Sequence, residues 1–298
     1  MRRLLSIVPA LLALFALPIG VANAVAQAAG SSILKEYPLW VVDHEPFRIA
    51  DNLYYVGGDD LATFLITSPQ GHILINSNLE SSIPQIRSNV EKLGFRWKDV
   101  KILLISHAHI DHTAGSAEII RETGAKFEVM DDDVPVVESG GTKDFHYGNL
   151  PEWCYPPTKV DRVLHDGDAV TLGGNVLHAV KTPGHTKGTT TWTMQVKDHG
   201  KLFNAVIVGS PNVNAGFRLT DDPNYPNQAS DYKHTFAALE ALPCDLFLGA
   251  HGAYFGMAAK YPKLKPGAAN PFIDPAGYHA YVQERKANFE RELAKAKR

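Results

Sequence analysis

Cysteine is scarce, with two residues among 298, which excludes a miniprotein held together by disulfides. Glycine, at 24 residues, is far too sparse for a collagen period. Neither charge sign dominates: 29 basic side chains face 32 acidic ones for a net charge of −3. Such a balance leaves no electrostatic footprint for nucleic acid or an anionic membrane surface. Beyond the first 29 residues no apolar run is long enough to cross a bilayer. Apolar residues themselves are plentiful. At 45% hydrophobic and 20% charged, the chain has the composition of a globular protein rather than a disordered one. A domain of this size buries about 75% of the surface its unfolded chain exposes, so a large core forms without staples.

The first segment reads as an export signal. Arg2 and Arg3 precede an apolar stretch from Leu4 to Leu17, Pro18 and Gly20 break it, and Ala22-Asn23-Ala24 offers a small-x-small cleavage site. Residues 1–24 are therefore expected to be removed, leaving 25–298 as one soluble domain in a bacterial periplasm. Two arginines and no acid leave with the signal, so the net charge moves from −3 to −5. In an oxidising compartment Cys154 and Cys244 either pair or remain as two buried thiols; both fit the sequence.

Strand-like apolar runs occur at 53–56, 63–67, 72–76 and 101–106, with a helix pattern through Ile83, Ile86, Val90 and Leu93. A second helix pattern around Ala117, Ile119 and Ile120 stops at Gly124. Further strands are expected at 126–130, 170–172, 176–181, 189–196, 203–208 and 245–248, with a helix through Tyr232, Phe236 and Leu239. The last element is a long helix, capped by Asp274 with Pro275 at its first position and a stripe of Tyr278, Val282, Phe289 and Leu293. Groups of strands separated by a helix, once in each half, predict an α/β fold: a four-layer αββα sandwich of two mixed sheets face to face with helices outside. The segment 140–158 reads as a long loop, a common place for function.

The chemistry sits in His107-Ala108-His109-Ile110-Asp111-His112, directly after a strand. In extended chain His107 and His109 point the same way, because side chains alternate with period two. A turn after them lets Asp111 and His112 face a second, neighbouring point. His185 follows Pro183-Gly184 and His251 follows Gly249-Ala250, each after its own strand. Imidazole and carboxylate without thiolate suit a catalytic zinc with an open position, and manganese and iron accept the same ligands. The other eight of the 13 histidines read as structural or solvated.

This string, with Pro183-Gly184-His185-Thr186 and Gly249-Ala250-His251, resembles the metallo-β-lactamase superfamily and, more narrowly, its subclass B3. The likeness extends through Tyr155-Pro156-Pro157, Asp166-Gly167-Asp168 and Ala241-Leu242-Pro243-Cys244-Asp245. It implies the same αββα fold and two Zn2+ ions per chain, one held by His107, His109 and His185, the other by Asp111, His112 and His251. It implies hydrolysis of the β-lactam amide of penicillins, cephalosporins and carbapenems by a metal-bound hydroxide that Asp111 orients, and hence antibiotic resistance. The partner implied is a small-molecule β-lactam, with no nucleic acid, no membrane once the signal is gone, and a monomeric enzyme. Ser210 and Asn212 match the neighbourhood that receives the substrate carboxylate, while Trp40, Tyr147 and the 140–158 loop are expected to wall the cleft.

The string also fits two other kinds of protein. A periplasmic lactonase or ester hydrolase of the same superfamily would carry an aspartate after Val206-Ile207-Val208-Gly209, where this chain has Ser210. A non-catalytic zinc-binding protein would close its coordination shells, whereas six ligands for two ions leave positions open. The chain also departs from its relatives. Asn76 replaces the usual aspartate, and a neutral amide there is expected to weaken support of the metal loop. Lys187 replaces a frequent proline and reads as a solvated lysine. Subclass members often carry a disulfide from the position of Cys244, but its usual partner is absent here.

Overall fold

A computed structural model describes residues 33–297; the expected signal at 1–24 lies outside them. Seven strands lie side by side in chain order: β1 (Phe47–Ala50), β2 (Leu53–Tyr55), β3 (Phe64–Ile66), β4 (His72–Ile75), β5 (Val100–Leu104), β6 (Lys126–Met130) and β7 (Arg162–Leu164). The first four pair antiparallel, and β4 to β7 run parallel. A second sheet has the order β12–β11–β10–β9–β8, from β8 (Ala169–Leu172), β9 (Asn175–Lys181), β10 (Thr190–Asp198), β11 (Lys201–Val208) and β12 (Leu246–Gly249). Its first four strands are antiparallel and β12 joins β11 in parallel. Both sheets are mixed, as expected. Strands β1 and β7 were not anticipated; each is short and carries exposed or charged residues that blur its apolar pattern.

Period-two alternation separates the two faces of the first sheet. Phe64, Ile66, Ile102 and Leu104 point inward, into one core with Leu177, Trp192, Met194 and Ile207 of the second sheet. Leu65 and Leu103 point outward, against Ile83, Ile86 and Val90 of α1 (Ile83–Lys92) and Ile119 of α2 (Ser116–Thr123). On the opposite outer face, α3 (Gln228–Ala241) and α4 (Pro275–Ala296) bury Tyr232, Phe236, Tyr278 and Phe289. Each such side chain contributes roughly 1.5–3 kcal/mol of transfer free energy. Asp274 caps α4 by accepting the Gly277 N–H at 2.8 Å. The buried stripe of α4 is the one its sequence pattern marks: Tyr278, Val282, Phe289 and Leu293.

Two bonds tie the sheets together beside the metal string. The Trp192 indole N–H donates to the Ile105 carbonyl at 3.1 Å, and the Thr190 N–H to the Ser106 carbonyl at 2.7 Å. Asn76 works at the same place. Its Oδ1 accepts the Ser106 N–H at 2.7 Å, and its Nδ2 donates to the Ala62 carbonyl at 3.1 Å. The amide thus uses donor and acceptor together on the backbone and makes no bond to a candidate ligand. Cys154 and Cys244 are both free thiols, the first partly exposed and the second buried.

Candidate metal centre

Strand ends build the site. His107 follows β5; His109 is extended (φ −85°, ψ 157°) and begins a single helical turn, Ile110–Thr113, which places Asp111 and His112 beside it. His185 follows β9, where Gly184 takes φ +133° and a Cβ would lie 2.7 Å from the Tyr232 ring. Only glycine fits that turn without strain. His251 follows β12 and pairs with Leu61 across an isolated bridge. The six residues converge. Ligand atoms of His107, His109 and His185 lie within 4.8 Å of one another, as do those of His107, Asp111 and His112. His251 Nε2 stands 3.1 Å from His112 Nε2 and 3.3 Å from Asp111 Oδ2.

The outer ring nitrogens face acceptors. His251 Nδ1 faces Asp60 Oδ2 at 2.9 Å, and His109 Nε2 faces Asp144 Oδ2 at 3.4 Å. His185 Nδ1 lies 2.9 Å from the Asn212 carbonyl oxygen. Carboxylates and carbonyls only accept, so Nδ1 of His251 and Nδ1 of His185 each carry a hydrogen. His109 Nδ1 and His185 Nε2 face each other at 3.1 Å. Both nitrogens of His107, Nδ1 of His112, Nε2 of His109 and the Asp144 Oδ2 that faces it are buried without hydrogen-bond partners. Buried ring nitrogens without hydrogen-bond partners are costly unless a cation lies among them. A metal ion fits this donor set.

Electrostatics agree with that geometry. Burial and the surrounding imidazoles hold His107 well below the usual histidine range; burial and His109 push His185 down to about 3. Both are therefore neutral and ready to ligate. Burial opposes charge on Asp111 and on His251, yet the facing partners prevail: Asp111 is held well below the carboxylate range and His251 well above the imidazole range. Asp60 and Asp144 are both lowered by the histidines they support, against burial.

A cleft of about 210 Å³ opens over these groups. Tyr37 stacks on Trp40 at 4.3 Å and Tyr147 on Trp153 at 4.1 Å, and the two tryptophans meet edge to face at 6.5 Å. Tyr147 also contacts His109 edge to face, with ring centroids 5.1 Å apart. A larger hollow of about 420 Å³ along β9 to β11 includes none of the candidate metal-ligating groups found among the described residues.

Asn212 lines the cleft; Ser210 does not, being 1% exposed beneath it. Tyr254, which the sequence did not single out, joins them: its hydroxyl lies 3.1 Å from Ser210 Oγ and accepts from Asn212 Nδ2 at 2.8 Å. Lys187 packs over the Tyr225 ring at 5.3 Å, outside the cleft lining.

The family model for the metallo-β-lactamase superfamily matches residues 56–198. The native metallo-β-lactamase of Legionella gormanii is 53% identical in sequence, with a TM-score of 0.85, over 86% of this chain and 98% of that one. A subclass B3 metallo-β-lactamase of Bradyrhizobium japonicum is 40% identical with a TM-score of 0.82, over 87% of this chain and 97% of that one. Among curated sequences, a protein of Burkholderia pseudomallei named as a probable metallo-hydrolase is 31% identical over 38% of this chain and 37% of its own length. The chain thus spans only part of the length of such curated relatives, between 37% and 51% for three of them. The chain belongs to the metallo-β-lactamase superfamily, on its subclass B3 branch, and is a hydrolase.

Proposed function

We propose that this chain is a periplasmic two-zinc β-lactamase that opens the β-lactam amide of penicillins, cephalosporins and carbapenems. The observation that carries the reading is the set of buried, mutually facing ring nitrogens around Asp111, in a chain so similar to a β-lactamase. His107, His109 and His185 would hold one zinc, and Asp111, His112 and His251 the other. Zinc, when bound, polarises the amide carbonyl and makes water nucleophilic near neutral pH.

The chain's own residues do the rest. Asp111, kept ionised by His112 and His251, accepts a hydrogen bond from the attacking water and so orients it. Asp144 and Asp60 hold the rings of His109 and His251 in register. Asn212 Nδ2 and the Tyr254 hydroxyl receive the substrate carboxylate, with Ser210 bonded to that hydroxyl from beneath. Trp40 and Trp153 shed water over the reacting amide. Because Ser210 stands where ester- and lactone-cleaving relatives place an aspartate, no carboxylate bridges the two metal positions from that strand end.

Residues 25–298 act as one monomeric catalytic domain after export; among the described residues no helix is long and apolar enough to cross a membrane. Replacing His185 by Ala tests the assignment. Turnover should fall by about 100-fold or more, since loss of an outer support alone costs 10–100-fold. Near-normal turnover would refute it.

A further inference from the structure

We propose that Asp133, which touches no candidate ligand ring, sets the geometry of the first metal position by joining the two chain segments that build it. This rests on the reading that His107, His109 and His185 hold one ion. Asp133 closes a short 3-10 turn after β6 and is 1% exposed. Its Oδ2 accepts the Ala108 N–H and the Thr186 hydroxyl, each at 2.9 Å, and its Oδ1 accepts the Gly188 N–H at 2.9 Å. Ala108 stands between His107 and His109, and Thr186 directly follows His185. One carboxylate therefore grips both segments one residue away from all three histidines.

The surroundings are built for this grip. The Tyr155 hydroxyl donates to the Ala108 carbonyl at 2.6 Å, so Ala108 is held at both its N–H and its C=O. Thr189 Oγ1 accepts the Thr186 N–H at 2.9 Å, which steadies the second segment. Gly188 approaches so closely that a Cβ would lie 2.6–2.7 Å from Asp133 atoms. Three donors converge on two oxygens, which calls for an acceptor-only group. An asparagine would turn an NH2 toward at least one of those donors.

The second position is anchored elsewhere. The Ser77 N–H donates to the His112 carbonyl at 3.0 Å, and Asp60 holds His251. Loss of Asp133 should therefore free the backbone beside His107, His109 and His185 while leaving Asp111, His112 and His251 in place. Asp133 is in this sense a positioning residue for one metal position.

The test uses the full protein, stripped of metal and titrated with Zn2+. Competition with a chromophoric chelator gives the two affinities, nitrogen-15 spectra of the histidine rings show which imidazoles are bound, and the unfolding midpoint of the metal-free protein is measured alongside. Asp133→Asn should weaken zinc at His107, His109 and His185 by about 10-fold or more, the effect known for outer supports, and leave the other position within about 3-fold. Equal weakening at both positions, or a lower unfolding midpoint with unchanged relative affinities, would overturn the proposal by reducing Asp133 to a fold-holding residue. If Asp133→Asn does not fold, Thr186→Val removes one of the three bonds; a selective loss of a few-fold at the first position supports the proposal, and no loss overturns it. Wild-type protein that takes up no zinc would instead overturn the metal reading, and this inference with it.

Discussion

Asp60 lies 191 residues from His251 in sequence, yet its carboxylate accepts the His251 Nδ1 hydrogen at 2.9 Å. Replacing it with Asn keeps the size but removes the charge. A charge-assisted hydrogen bond of this kind is worth roughly 1.5–3 kcal/mol. At 18% side-chain exposure Asp60 is shielded enough for most of that to count. The asparagine has one oxygen to serve both the His251 ring and the Ala253 N–H, which the other carboxylate oxygen accepts at 3.2 Å. One of the two bonds must fail. The expected result is a fall of about 10- to 100-fold in zinc affinity at the position of Asp111, His112 and His251, with the other position little changed. Asp144→Asn is its mirror image and should weaken the position of His107, His109 and His185. Chelator-competition titrations of the two variants give the result directly. Unchanged affinity in Asp60→Asn, or weakening confined to the first position, would refute the assignment of Asp60 to His251.

Acid should destabilise the metal-free protein. His185 is held down to about 3, and His107 and His112 are also lowered, whereas an unfolded imidazole titrates near 6.5. Below that pH the unfolded chain binds protons that the fold refuses. Stability is thus full above pH 6.5 and falls by about 1.4 kcal/mol per pH unit for each such ring. His109 and His251 are raised instead, so what they contribute is present below pH 6.5 and is not lost on acidification. Asp133, pushed by burial up to about 6, offsets roughly one ring between its folded value and 3.8. Denaturant melts of the metal-free protein should weaken steadily from pH 6.5 to 5, and a flat profile would contradict the neutral imidazoles. Asn76→Asp places a carboxylate oxygen against the Ala62 carbonyl at a fully buried site, removing a donor it needs. Calorimetry should show a loss of about 1–3 kcal/mol, and an unchanged melting temperature would refute that role for the amide.

The αββα layering was legible because strands and helices alternate with clean periodicity, and the long last helix announces its own cap and stripe. Its edges were not: β1 and β7 carry charged or exposed positions that break the apolar pattern. The cluster of candidate ligands was legible because four of the six lie within one string and the other two stand beside glycines at strand ends. Their supports were hidden. Asp60, Asp144 and Tyr254 are ordinary residues whose partners lie far off in sequence, and only the long loop that holds Asp144 carried a hint. The expectation for Asn76 rested on charge alone, whereas the fold uses its amide to join β4 to the chain leaving β5. Ser210 sits beneath the residues that face the cleft because Tyr254 lies over it, a layering that no local pattern encodes.

The most direct test of the central claim is hydrolysis of a carbapenem and a penicillin by purified protein beginning near Val25, with and without a chelator. Ring opening is followed by loss of absorbance. Turnover should stop on chelation and return with added zinc. Turnover that persists through chelation, or a zinc-loaded protein that leaves both rings intact, would contradict that claim.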